Sequence, residues 1–182
     1  MSKREITFNP GECYHIYNRG HDGQNIFYKH NNYLYLLQKV NKFSVICHID
    51  VIAYCLMPNH YHFLLCQGGD ITISKFMYSI FNGYSKAFNK MYNRKGTLFQ
   101  GRFQSKLVDE NSYLIHLTRY IHRNPVDREK PLVDRLEDWP YSNYLEWTGK
   151  RQEKLFNDMW LHDYFQSPSD YQKFVLDYVP NK

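Results

Sequence analysis

Two histidines separated by one residue carry the first chemical signal in this chain. His60 and His62 lie in the segment MPNHYHFLL at residues 57–65, directly after an apolar run at residues 51–56. Apolar runs broken by a Pro-Asn pair predict two buried strand segments with a turn or bulge between them. Because side chains alternate along a strand, both imidazoles point to one face and Tyr61 to the other. The pair can hold one divalent ion or be an ordinary part of a half-exposed strand, and HxH alone is weak evidence of a metal site.

A second group of candidate residues shares one stripe of a predicted helix. Tyr113, Leu117 and Tyr120 recur at spacings of four and three, and Asn124 continues the stripe. The stripe is either a core face whose end Asn124 caps, or it presents the Tyr120 phenol and the Asn124 amide oxygen to the histidines. Two imidazoles and one amide oxygen leave coordination positions open, as a catalytic metal requires. A tyrosine beside such a metal could attack a phosphodiester, and spacing alone does not choose between the two arrangements.

Strands and amphipathic helices are predicted around these residues. Strands are expected at residues 12–19, 45–56, 60–66 and 98–108, the last as one strand or as a hairpin bent at Gly101. Helices are expected at 29–43, 71–92 and 111–123, the last with Asp109 as its N-cap and stopped by Pro125. Residues 127–182 predict short helices packed over the core, so we expect one domain over 1–182 with 127–182 as a C-terminal extension.

Each of the first two helices has a predicted apolar face. In the first it comprises Tyr33, Leu34, Leu37, Val40 and Phe43. In the second it comprises Ile73, Phe76, Met77, Ile80, Phe81, Tyr84 and Phe88. The outer side of the second helix carries lysines, which either form a solvated face or follow a phosphate backbone.

Composition narrows the class of protein. The chain has 182 residues, 43% hydrophobic and 18% aromatic, which excludes a disordered chain. Its 23 Lys and Arg against 18 Asp and Glu, with 17 tyrosines, favour a nucleic-acid partner. Four cysteines occur without a CxxC pair, each in or beside an apolar run, so we expect free buried thiols. With no leader pattern and no apolar run long enough to span a membrane, a soluble cytoplasmic protein is expected.

Four segments together resemble the single-tyrosine transposases of the HUH (His-hydrophobic-His) superfamily. They are YHIYNRG at 14–20, MPNHYHFLL at 57–65, LFQGRFQSKLV at 98–108 and RYIHRNPV at 119–126. Within that superfamily the chain looks most like the REP-associated tyrosine transposases and their insertion-sequence relatives. The later segment DWPYSNY at 138–144 resembles the tail of the REP-associated branch. The main segments occur in family order, and their combination is much more specific than any one of them.

The resemblance implies a fold and a set of roles. The fold is α+β, a central antiparallel sheet related to the RNA-recognition-motif palm with helices packed on it. His60 and His62 match the metal-binding pair, Tyr120 the nucleophile and Asn124 the third ligand. Some insertion-sequence relatives carry glutamine in that last place, so asparagine is a departure from their pattern. The implied metal is Mg²⁺ or Mn²⁺, and the implied reaction cleaves and rejoins single-stranded DNA with hairpin ends through a 5′-phosphotyrosine intermediate.

Several points stay open at this level. A phenol has a reference pKa near ~10 and needs help to lose its proton, for which His122, His116 and water are candidates. Insertion-sequence relatives are dimers, whereas the REP-associated branch is often monomeric, so both states are open. A domesticated protein that binds hairpins without cutting is the main alternative, and a nuclease using water would need more carboxylates near the histidines. The residues expected to contact DNA are Arg19, Lys75, Lys86, Arg94, Lys95, Arg102, Lys106 and Arg123.

Overall fold

A four-stranded antiparallel sheet lies at the centre of the chain. The structure is a computed structural model that describes residues 7–109, 111–127, 129–152 and 163–178. The strands are β1 (Cys13–Arg19), β2 (Ile49–Met57), β3 (His60–Gln67) and β4 (Gln104–Val108), in the order β2-β3-β1-β4. Every neighbouring pair is antiparallel. Together with the packed helices, this sheet confirms the predicted α+β class.

Helices cover both faces of the sheet. Helices α1 (His30–Cys47) and α2 (Ile73–Met91) pack against each other on the face that carries Tyr61, whose ring stacks on Phe81 at 4.4 Å. Helix α3 (Asn111–Arg123) packs against β2 and β3. Its Tyr120 lies beside His62, so α3 covers the histidine face. In the described residues after α3, α-helices occur at α4 (Tyr144–Trp147) and α5 (Pro168–Leu176). Covering on both faces explains why β2 and β3 are buried almost throughout.

The predictions for α2 and α3 are confirmed. All seven apolar residues predicted to face inward from α2 are buried. The helix begins after Thr72, whose hydroxyl accepts from the backbone N–H of Lys75. Helix α3 has the predicted bounds, and Pro125 lies two residues beyond its last residue. These elements were predictable because their periodicity and end signals are local.

The boundary between α1 and β2, one core position of α1 and the start of β4 differ from the prediction. Residues 45–47 belong to α1 and not to β2, because Cys47 packs into the core and His48 ends the helix in a left-handed conformation (φ 51°). Leu34 is exposed, and Leu36 takes the core position instead. Strand β4 begins only at Gln104, since Gly101 (φ 112°) turns the chain. The preceding segment meets the end of β1 through isolated contacts, among them a bridge between Gly20 and Phe99 and a hydrogen bond from Gln100 N to Arg19 O at 3.0 Å.

The expectation for the cysteines is half right. Cys47 and Cys55 are free and buried, but Cys13 and Cys66 are joined by a disulfide. The antiparallel register places this pair directly opposite each other on β1 and β3, with their Cα atoms 4.0 Å apart. Register is a long-range property, so sequence spacing did not show that the two sulfurs meet.

Asn143 holds the segment after α3 on the sheet through hydrogen bonds. Its Oδ1 accepts from the backbone N–H of Tyr54 at 2.7 Å and from His122 Nε2 at 2.8 Å, and its Nδ2 donates to Ile52 O at 2.9 Å. Tyr171 of α5 completes the network through a 2.6 Å hydrogen bond to His122 Nδ1. The described parts of residues 127–182 therefore pack on the core, while 128, 153–162 and 179–182 of that predicted extension lie outside the described residues.

A bilayer-spanning helix is absent from the described part of the chain, where each helix is too short or too polar.

Candidate active site

The strand register gathers a polar cluster on one face of the sheet. His60 and His62 open β3, where they pair with Arg19 and Tyr17 of β1. The two imidazole rings are 5.3 Å apart, and His62 is only 7% exposed whereas His60 is half-buried. Residues two apart on a strand share a face, and the contact between the two rings confirms the prediction that both imidazoles point the same way.

His60 lies between two amide oxygens. Its Nδ1 is 2.8 Å from Asn59 Oδ1, and its Nε2 is 3.3 Å from Asn124 Oδ1. Both amides are oriented by their nitrogen atoms, since Asn59 Nδ2 donates to Gly23 O and Asn124 Nδ2 donates to Tyr120 O. A neutral His60 that donates from Nδ1 therefore turns the lone pair of Nε2 towards a second acceptor. A cation shared by Nε2 and Asn124 Oδ1 would stabilise this contact.

His62 is held by a third histidine. Its Nδ1 is 2.9 Å from His15 Nε2, the two rings stack, and both side chains are buried. Burial lowers the pKa of His62 well below its usual value, and the neighbouring His15 and His60 lower it further. Burial, then the positive charge of Lys106, lowers the pKa of His15 to about 4. The pair is therefore neutral at pH 7, and when His62 Nδ1 donates, the lone pair of its Nε2 is free to bind a metal.

Tyr120 lies over the histidines. Its ring centroid is 5.4 Å from that of His62 and 6.1 Å from that of His15, and the side chain is 52% exposed. Leu117, one turn earlier, is buried. The stripe on α3 therefore contributes both to the core, through Leu117, and to the histidine cluster, through Tyr120. These are the two arrangements between which the spacing did not choose. Burial raises the pKa of Tyr120, and a hydrogen bond to Asn124 offsets part of that rise.

The donor set fits a divalent cation. Two imidazole nitrogens and one amide oxygen come from β3 and the end of α3, and the Asn124 oxygen already faces His60 Nε2 at 3.3 Å. Mixed nitrogen and oxygen ligands with open positions suit a catalytic ion. Within the described residues, no group of three or more His, Cys, Asp or Glu could hold a metal. The candidate centre is consistent with that finding, because the third residue of its donor set is an asparagine.

The position of His122 excludes it as the base that takes the proton of Tyr120. It is fully buried and bonded to Tyr171 and Asn143, and burial lowers its pKa to about 4. His116 is exposed and lies 2.9 Å from Arg119 Nη2. It lines a surface cavity together with Tyr120. His116 and water therefore stay open as candidates.

The predicted DNA-contacting cations fall into three groups. Arg19 and Arg102 line the cleft that contains His60 and His62, and Lys106 lies on β4 beside His15. Lys75 and Lys86 are exposed on α2, behind the sheet. The third group has three members, of which two are engaged within the chain: Arg123 pairs with Asp127 at 2.7 Å, and Arg94 donates to Gln24 at 2.6 Å. Lys95 is exposed next to Arg94.

Three residues of the cluster were absent from the predicted site: His15, Tyr17 and Asn59. The alternation along β1 places His15 and Tyr17 on one face, but only the pairing of β1 with β3 shows that this face carries His62. Asn59 follows Pro58 in the two-residue turn between β2 and β3. A turn asparagine beside a histidine was the available signal for it.

Comparison with known proteins identifies a family and a shared fold. The family model described as "Transposase IS200 like" matches residues 12–124. A Haemophilus influenzae protein named as a REP-associated tyrosine transposase is 27% identical over 134 residues, which cover 60% of this chain and 73% of that protein. A solved structure of a REP-associated tyrosine transposase bound to a REP hairpin has a TM-score of 0.66 at 19% identity, and the match covers 86% of this chain and 94% of that one.

Proposed function

This chain belongs to the family of IS200-like transposases, and on that premise we propose that it cleaves and rejoins single-stranded DNA through Tyr120. The observation that carries the proposal is the convergence of His60, His62, Tyr120 and Asn124 in one cluster of a single chain. A protein that only binds DNA has no need of a tyrosine beside two imidazoles and an oriented amide oxygen.

His60, His62 and Asn124 would hold Mg²⁺ or Mn²⁺. The hydrogen bonds of His60 to Asn59 and of His62 to His15 orient the rings so that each can offer its Nε2. The ion's contribution is Lewis-acid stabilisation of the negative charge that develops on the scissile phosphate. The Asn124 amide also links ligand and nucleophile, because its Nδ2 donates to the backbone oxygen of Tyr120 at 2.9 Å.

Tyr120 is the proposed nucleophile. Its Oη attacks the phosphorus, a new O–P bond forms, and the bond to the 3′ oxygen breaks. The phenol proton passes to a base or to water, and the leaving oxygen takes up a proton to become a free 3′-hydroxyl. The 5′-phosphotyrosine conserves the bond energy, so attack by another strand's 3′-hydroxyl rejoins DNA without a nucleotide cofactor.

The DNA substrate is proposed to carry a hairpin beside the cleavage point. The open cleft with Arg19 and Arg102 suits a single strand, whose phosphates the two guanidinium groups can pair with. The solved relative is described as bound to a REP hairpin, which supports a hairpin substrate here. All four cluster residues come from one chain, so a monomer could carry out the first cleavage.

The deciding experiment uses hairpin oligonucleotides from the DNA on either side of the gene, labelled at the 5′ or the 3′ end. Incubation with Mg²⁺ or Mn²⁺, and with EDTA, is followed by denaturing gels of the unmodified protein, Tyr120→Phe and His62→Ala. We expect a metal-dependent covalent adduct on the 3′-labelled fragment that both variants lack. Tyr113→Phe, on the same helix, is the matched control and should retain it.

Two results would contradict the proposal. Metal-dependent cutting that survives Tyr120→Phe would assign the attack to water. Tight binding without cutting, across all the flanking hairpins, would identify a protein that binds hairpins and does not process them.

A further inference from the structure

A second cavity lies on the opposite face of the sheet from the histidines. It has a volume of about 530 Å³ and lies between α2 and the segment at residues 98–103. Tyr61, Phe81 and Phe99 form its aromatic wall, with Tyr61 and Phe81 stacked at 4.4 Å and Phe99 meeting Phe81 edge-on at 5.1 Å. The cavity is large enough for a planar heteroaromatic group, and none of the roles proposed above uses it.

Tyr78 and Asn82 lie at the rim of this cavity, and neither side chain has an evident role in stabilising the fold. Tyr78 is 68% exposed on α2, an unusual position for a large aromatic side chain. The Asn82 side chain makes no hydrogen bond to the rest of the described chain. The cavity therefore offers a stacking surface next to an amide that can both donate and accept hydrogen bonds, the combination that recognises the face and the edge of a base.

Positive charge lies on both sides of the cavity. Lys75, Tyr78, Asn82 and Lys86 follow one another at spacings of three, four and four residues, so they form a single stripe along α2. The two lysines are about 16 Å apart along the helix axis, a span of a few nucleotides. Arg102 lines the cavity from the other side. Phosphates on either side of a bound base would meet these cations.

The cavity and the proposed catalytic cleft share two lining residues. Asn18 and Arg102 line both, so the two sites meet at the end of β1 and the turn around Gly101. Asn18 is fixed there by a 3.1 Å hydrogen bond from its Nδ2 to Gly101 O. A strand that enters the cleft at His60 can therefore continue around the edge of the sheet to α2.

We propose that the cavity between α2 and residues 98–103 binds one unstacked nucleobase of the single-stranded DNA substrate, with Tyr78 stacking on it and Asn82 reading its edge. Lys75, Lys86 and Arg102 hold the neighbouring phosphates. This inference rests on the proposed function for the identity of the strand. It adds a place of base recognition behind the sheet, away from the reacting phosphate.

Abasic scanning tests the inference separately from cleavage. Equilibrium binding is measured with Mg²⁺ in a Tyr120→Phe background, using flanking hairpin oligonucleotides in which one nucleotide at a time lacks its base. Loss of the base that occupies the cavity should weaken binding by about 5- to 150-fold, the usual range for a base stacked on an aromatic side chain. Tyr78→Ala should bring that ratio below about twofold, because the platform is gone.

Three further variants sharpen the result. Tyr35→Ala removes a partly exposed tyrosine from α1, away from the cavity, and should leave the abasic ratio unchanged. Asn82→Ala should retain much of the ratio and lose any preference among the four bases at that position. Lys86→Ala should weaken binding equally for every base and reduce its salt dependence.

The outcomes separate this inference from the proposed function. If Tyr78→Ala keeps the full abasic ratio at the sensitive position, or if no position is sensitive, the cavity does not bind a base even when Tyr120 forms an adduct. If the ratio depends on Tyr78 and no adduct forms, the base pocket stands and the Tyr120 chemistry does not. If Tyr78→Ala instead converts a dimer to a monomer in sedimentation equilibrium and leaves DNA binding unchanged, the cavity is an interface between two copies of the chain.

Discussion

Replacing His15 by phenylalanine should weaken metal binding at His62. The substitution keeps a buried ring of similar size on β1 but removes the Nε2 atom that lies 2.9 Å from His62 Nδ1. In the metal-binding tautomer, His62 Nδ1 carries a proton that would then be buried without an acceptor. A buried unsatisfied donor costs about 1–3 kcal/mol. The alternative tautomer removes the unpaired N–H from Nδ1 but places the proton on Nε2, where it blocks the metal.

This cost raises the free energy of the metal-bound state, because only the metal-free state can adopt the other tautomer. At 1.36 kcal/mol per factor of ten, it corresponds to about 5- to 150-fold weaker binding, in line with the ~10–100-fold losses typical when the hydrogen-bond partner of a ligand histidine is removed. The electron paramagnetic resonance signal of free Mn²⁺, titrated at pH 7.5 without DNA, measures the affinity directly. Circular dichroism melting of each variant checks that it is folded.

His15→Gln is the matched control. Its amide oxygen can reach the position of Nε2 and accept the same hydrogen bond, so most of the affinity should return. If His15→Phe bound Mn²⁺ as tightly as the unmodified protein, the positioning role of His15 would be refuted. Equal losses in both variants would mean that packing around His62, and not the acceptor, determines the affinity.

Three other perturbations have defined outcomes. Asn124→Ala should lower the rate of adduct formation at least about tenfold, because it removes a ligand that faces His60 Nε2, and an unchanged rate on denaturing gels would remove Asn124 from the site. Asn143→Ala should lower the free energy of unfolding in urea by about 2–5 kcal/mol, since three buried hydrogen bonds are lost, whereas Asn41→Ala on the exposed side of α1 should cost less than about 0.5 kcal/mol. Acid should also destabilise the protein, because burial lowers the pKa of His122 to about 4 in the folded state, against about 6.5 in the unfolded state. Between these pH values the unfolded state binds more protons, so the free energy of unfolding falls as the pH drops, by up to about 3 kcal/mol. Urea titrations at pH 7 and 4.5 measure this loss, and His122→Gln should reduce it.

The sequence alone determined the features that depend on near neighbours. The shared face of His60 and His62 follows from the two-residue period of a strand, and the buried face of α2 follows from the 3.6-residue period of a helix. The end of α3 was predictable from Pro125, two residues beyond Arg123. The family resemblance came from four segments in order, and it identified Tyr120 and Asn124 as residues to place beside the histidines.

Only the tertiary structure decided which residues meet across elements. The register of β1 against β3 places His15 behind His62 and Cys13 opposite Cys66, and neither pairing is encoded in spacing along the chain. Helix α3 packs on the histidine face because its buried residues, such as Leu117, need the apolar surface of β2 and β3. The burial of His122 similarly depends on Asn143 and Tyr171, which lie 21 and 49 residues away. Local periodicity orients a side chain relative to its own element, whereas the partner it meets is set by packing and strand pairing between distant parts of the chain.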